Sequence, residues 1–218
     1  MTSQTRLAQR VGALGIVYAV VFAVGYVLAG NGPSETASGA AVVRYYTMHK
    51  TSETVAVFAV AIASVAFVLF ASSLCRFLTR NNDGRFLNSA ITAGSAVYAT
   101  GVLIVALITM GLVDAAKHSM GGVAQTLNVL SSADWVPVVA GISMTALAAG
   151  VISLRTGALP RWLGWISIVL GLMAIAGPVG GIAFLLFPVW TLVLAAVIVR
   201  RGSDVADDVS LSLGAATR

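Results

Sequence analysis

Charge is what this chain lacks. Of its 218 residues 10% are charged and 58% hydrophobic, whereas soluble domains carry about 25% charged residues. A water-soluble fold of this size would not have enough polar side chain to cover its surface, and the mean hydropathy of +0.94 points the same way. The composition implies an integral membrane protein. Cysteine is almost absent: Cys75 stands alone, which excludes an internal disulfide and any multi-cysteine metal site. Its one ionisable neighbour is Arg76, with no histidine on that side, so it lacks the base that a reactive thiolate needs. Basic residues outnumber acidic ones, 13 to 8. They are scattered in ones, twos and threes between apolar runs and form no stripe, which excludes a nucleic-acid partner.

What the chain has is long apolar runs. A membrane span needs about 20 mainly apolar residues, and six stretches qualify: 11–30, 54–75, 86–112, 135–154, 162–179 and 182–199. None carries a charged residue in its interior. The first follows Arg6 and Arg10 and exceeds the roughly 7–15 residues of a signal-peptide core, so it reads as an uncleaved first span. The last two are parted by "GPVGG" (177–181), where Pro178 between glycines breaks the helix. The tail, 201–218, has no apolar face to bury and is expected to be disordered. Residues 1–200 then form one transmembrane domain.

The loops orient it. With the N-terminus inside, the cytoplasmic segments hold ten basic residues: Arg6, Arg10, Arg76, Arg80, Arg85, Arg155, Arg161, Arg200, Arg201 and Arg218. The outer segments hold three: Arg44, Lys50 and Lys117. Positive charge concentrates on the cytoplasmic side. The expected fold is therefore all-α, a polytopic membrane helix bundle with six transmembrane helices and both termini cytoplasmic, multi-pass in the cell (plasma) membrane.

Two outer segments are longer than the inner loops. In "SGAAVVRYYTMHKTSE", Val42, Val43, Tyr46 and Met48 form a loose apolar face, which predicts a short helix lying on the outer leaflet with Tyr45 and Tyr46 at headgroup level. "GGVAQTLNVLSSAD" predicts a second surface helix. Because lipid is as apolar as leucine, spans associate through small residues. Ala90, Gly94, Ser95, Ala99 and Thr100 in span three, with Gly141, Ser143, Thr145 and Gly150 in span four, mark these two as the packed centre. Trp135, Trp162, Trp165 and Trp190 fall near span ends, as interfacial anchors.

The last third, "RTGALPRWLGWISIVLGLMAIAGPVGGIAFLLFPVWTLVLAAVIVRR", resembles the closing pair of spans in an uncharacterised group of six-span integral membrane proteins, common in actinobacteria and classed as a domain of unknown function. The "LPRWLGW" entry, the glycine-proline break and the "FPVWTLVLA...RR" exit carry the resemblance, and the "AVVRYYTMHK" segment is similar in style. It implies a fold and a membrane location and assigns no catalytic residue. "ALPRWLGW" also reads physically as an anchor. Pro160 precedes the helix where its missing N–H costs nothing, Arg161 holds the cytoplasmic side, and Trp162 and Trp165 sit in the interface.

The candidate chemistry gathers at the outer ends of spans two and three. Asp114 and His118 lie four apart on one helical face, and His49 and Glu53 repeat that spacing. If the two span ends meet, imidazole and carboxylate together suit zinc or a similar ion, and a metal-bound water would serve hydrolysis at the membrane surface. The plainer reading is that these residues, with Asp134 at the start of span four, cap helices where they reach water. Haem ligation by His49 and His118 is disfavoured because both lie near one face. Proton-coupled transport is disfavoured because no span interior is charged. The expected role is a non-enzymatic accessory or interaction protein of the envelope, partnered by the lipid bilayer and another membrane protein, with no cofactor. An uncoupled small-solute transporter and a metal-dependent surface hydrolase are the alternatives.

Overall fold

The computed structural model describes the backbone of residues 3–78 and 85–216 and the side chains of 6–78, 86–177 and 179–201. Among the described residues it is all-helical, with eight α-helices: α1 Ser3–Ala29, α2 Gly39–Met48, α3 Lys50–Leu78, α4 Arg85–Lys117, α5 Gly121–Leu130, α6 Val136–Thr156, α7 Arg161–Ile175 and α8 Gly180–Ala216. Five of them (α1, α3, α4, α6 and α8) contain apolar stretches long enough to cross a membrane. The fifth expected span is shorter than its apolar run. Helix α7 has 15 residues, or about 22 Å at 1.5 Å per residue, against a hydrocarbon core of about 30 Å. Gly177, at φ +61, ends it. That left-handed conformation costs glycine less than any residue with a Cβ, and one 3₁₀ turn, Gly177–Val179, leads into α8.

The six longer helices close a ring, α1 on α3, α3 on α4, α4 on α6, α6 on α7, α7 on α8 and α8 on α1, with α2 and α5 set over one end of α4. The chain reverses at each connection. One end of the ring thus collects Arg6, Arg10, Arg76, Arg155, Arg161, Arg200 and Arg201, and the other, capped by α2 and α5, has Arg44, Lys50 and Lys117. At the arginine end Arg201 donates to the Ala158 carbonyl, tying α8 to the α6–α7 turn. Arg80 and Asp83 lie outside the described residues. Helix α8 continues through Ala216, beyond the expected end of the span at 199. The tail expected to be disordered falls beyond the described side chains.

The α4–α6 interface is built as the small residues imply. A Cβ at Gly94 would lie 2.6 Å from Thr145 Oγ1, and one at Gly141 would collide with the Tyr98 backbone. The backbones approach because these positions have no side chain to hold them apart. Helices α6 and α7 repeat the device, with Gly150 against Gly164. Two expectations need correction. The apolar face of α2 meets protein, not lipid. Val42 and Tyr46 are buried against Ile108, Leu112, Val113 and Ala116 of α4, and Met48 points away, exposed. Trp190 is no interfacial anchor either. It is buried, stacks on Phe187 and donates to Ser167 Oγ at 2.8 Å, joining α8 to α7. An indole N–H inside a bundle needs such a partner. Trp135, Trp162 and Trp165 are exposed, as anchors are.

Candidate functional site

Below the cap the ring does not fill its interior. A cavity of about 560 Å³ lies between α1, α3, α4, α6 and the start of α8, a size in the usual range of about 300–1,000 Å³ for small-molecule sites. Its wall is apolar, chiefly valine and alanine from α3, α4 and α6. Its exposed lining residues, Tyr26, Trp135, Gly177 and Gly181, mark the mouth. The short α7 accounts for that opening: where a full-length helix would rise, only the glycine turn stands.

The floor is aromatic. Phe22 and Phe184 meet edge-to-face at 5.4 Å, and Phe22 leads to Tyr18 at 5.7 Å. Tyr18, Phe67, Tyr98 and Phe187 are fully buried and mutually in contact. The Tyr18 and Tyr98 hydroxyls bond to each other at 2.7 Å, linking α1 to α4 across the interior. This satisfies two polar atoms that water cannot reach and closes the cavity toward the arginine end.

Two carboxyl side chains line the cavity among the described residues. Glu53, in the first turn of α3, is only 3% exposed. The Tyr45 hydroxyl lies 3.4 Å from Glu53 Oε1 and also 3.4 Å from the Ala29 carbonyl. Tyr45 is itself held by His49, whose ring stacks on it at 4.3 Å and whose Nδ1 lies 2.9 Å from the Tyr45 carbonyl. Asp134 is half-buried just before α6, and burial pushes its carboxyl up to about 6. It does not cap that helix: the N-cap residue is Trp135, and no side chain bonds to the first turn. Burial, then the charges of Glu53, Tyr45 and Asp134, raise the Tyr46 hydroxyl well above its ordinary range.

The four residues expected to form one cluster separate into two pairs. His49 and Glu53 stay at the cap-end entry of α3, with Glu53 turned into the bundle and His49 exposed. Asp114 and His118 sit at the end of α4, Nδ1 to Oδ1 3.6 Å, with side chains 71% and 52% exposed. His118 Nδ1 also lies 3.0 Å from the Asp114 carbonyl. Among the described residues no three His, Cys, Asp or Glu side chains come together in a group suited to a metal. Sequence spacing missed Asp134 as a lining residue. Its signal was the Asp-Trp pair at a span entry, a charge and an indole side by side.

Cavity, aromatic floor and cap define a class: a helical bundle of membrane type with an apolar cavity beneath a cap of two short helices. No protein-family model, curated protein or solved structure matches the chain.

Proposed function

We propose that this is a six-span plasma-membrane protein that holds an apolar or amphiphilic small molecule in the cavity at its capped, extracytoplasmic end, without transforming it. The observation that carries the reading is the cavity itself: about 560 Å³ of valine- and alanine-walled space with a mouth at one end and an aromatic floor at the other. The closed floor favours holding over passage, since a transported solute would have to part the Tyr18–Tyr98 bond and the surrounding rings. Helix α7 serves as the sixth crossing with the turn that follows it, the local bilayer thinning or flanking residues snorkelling to meet its length.

Orientation follows the arginines, with the end bearing Arg6, Arg76, Arg155 and Arg201 in the cytoplasm. A Cys75→Ser background carrying Ser132→Cys tests it, because Ser132 is exposed at the capped end. An impermeant maleimide is expected to label intact cells. Labelling only after permeabilisation would reverse the topology.

The binding reading is tested by Gly181→Phe. A Cβ at this lining position meets nothing within 4 Å, so a phenylalanine is accommodated at the mouth without moving the backbone. Native mass spectra of protein extracted gently from its own membrane are expected to show added small-molecule mass on the wild type, at least fivefold depleted in the variant. Equal adducts on both would place the bound molecules on the lipid-facing surface and sink the proposal.

A further inference from the structure

The cavity's chemistry narrows the class of ligand, on the footing that the cavity binds one at all. Its lining holds two carboxyl groups, Glu53 and Asp134, and no lysine, arginine or histidine among the described residues. A carboxylate that is 97% buried needs a proton or a positive partner, because stranding its charge against apolar walls is costly. Among the described residues no salt bridge reaches Glu53; the Tyr45 hydroxyl approaches it at 3.4 Å, and the exposed His49 one turn away is the cationic neighbour that acts on it, from outside the cavity. Tyr26 and Trp135 stand at the mouth, with Phe22 and Phe184 below. Aromatic faces beside carboxylates are the surroundings in which ammonium groups are held, through the ring quadrupole as well as through charge. The valine and alanine wall suits a hydrocarbon body. A small hydrated metal ion would find two carboxyl groups and little else to replace its water.

We propose that the ligand is an amphiphile with a single cationic head, an alkyl amine or quaternary ammonium, whose head lies between Glu53 and Asp134 and whose apolar body lies on the Phe22–Phe184 floor. Tyr45 positions the Glu53 carboxylate, and His49, stacked on Tyr45, holds that tyrosine in place.

The probes are dodecyltrimethylammonium and dodecanol, which share a chain and differ in head group. Both are titrated into full-length protein in nanodiscs and read by native mass spectrometry. The wild type is expected to bind the ammonium at least tenfold more tightly than the alcohol at pH 8. Glu53→Gln with Asp134→Asn is expected to reduce that preference to within about twofold while leaving dodecanol binding unchanged. Should the double variant fail to fold, Asp134→Asn alone is expected to lose part of the preference. The wild type itself is expected to lose most of it at pH 4.5. Equal binding of the two probes by the wild type overturns the cationic class and leaves the cavity reading standing. Binding of neither, or binding of both that Gly181→Phe does not diminish, overturns the cavity reading itself.

Discussion

Two carboxylates near the capped end began from the same description and met different fates. Asp114 and Glu53 each sit near the end of a long helix, each four residues from a histidine. In the fold Asp114 stands in water with His118 beside it, 71% exposed, while Glu53 is 3% exposed and faces a cavity. The difference is not in the residues or in their spacing. In the last turns of α4 the Asp114 side is left to solvent. Helix α3 follows directly on α2, and Tyr45 of α2 reaches back over its first turn to Glu53. Position four apart on a helix establishes that two side chains share a face. What that face meets depends on where neighbouring helices end.

The contrast can be forced by charge reversal. Glu53→Arg puts a guanidinium against the Tyr45 hydroxyl and the apolar wall, and a destabilisation on the order of 3 kcal/mol is expected, the scale of an unpaired buried charge. Asp114→Arg replaces one exposed charge by another and is expected to stay within about 0.5 kcal/mol of the wild type. Thermal unfolding of the two variants in the same detergent measures both, and similar losses would mean that Glu53 and Asp114 share one environment.

A smaller effect follows from Asp134. Burial raises its carboxyl from an ordinary value near 3.8 to about 6, so between those limits the folded protein binds more protons than the unfolded chain. Stability from this group is therefore greatest below about pH 4 and declines as pH rises toward 6, then stays level. Because the residue is only half-buried, solvent screening keeps the effect well below that of a fully buried group. Asp134→Asn is expected to flatten this part of the profile of unfolding temperature against pH. An unchanged slope would assign it to another group. Cation binding has the opposite dependence, strengthening as Asp134 ionises; Glu53, His49, Tyr45 and Tyr46 at the cap and Tyr26 at the mouth are the other titratable groups described there.

Much of the architecture was legible in the sequence because membrane helices obey strong constraints. Apolar runs gave the five long helices to within a few residues at most ends, and the small residues of α4 and α6 identified their interface, since glycine at Gly94 and Gly141 permits a close approach wherever those helices meet. The two short cap helices were also visible. Their partners were not. An amphipathic decamer presents the same pattern to a lipid headgroup layer as to the flank of another helix, and Val42 and Tyr46 chose α4.

The candidate site was legible only in part. Glu53 was singled out, for its spacing to His49, and proved to belong to a cavity instead of to a group with Asp114 and His118. The cavity itself is an absence, made where α7 stops at Ile175 and the glycine turn leaves a low wall. An apolar run through 179 hides that stop, because hydropathy does not distinguish a helix from the turn that follows it. Trp190 was misplaced for a related reason: proximity to a predicted span end says nothing about the Ser167 hydroxyl waiting on α7.

The most direct test of the central claim is to locate an amphiphile in the protein by scattering. Crystals grown with 12-bromododecanol, a neutral probe that makes no demand on the carboxylates, would reveal bromine by its anomalous signal. A peak is expected inside the ring, beside Phe22 and Phe184 and beneath the mouth marked by Trp135 and Gly181. Bromine found only along the outer, lipid-facing surfaces of the helices would contradict binding in the cavity.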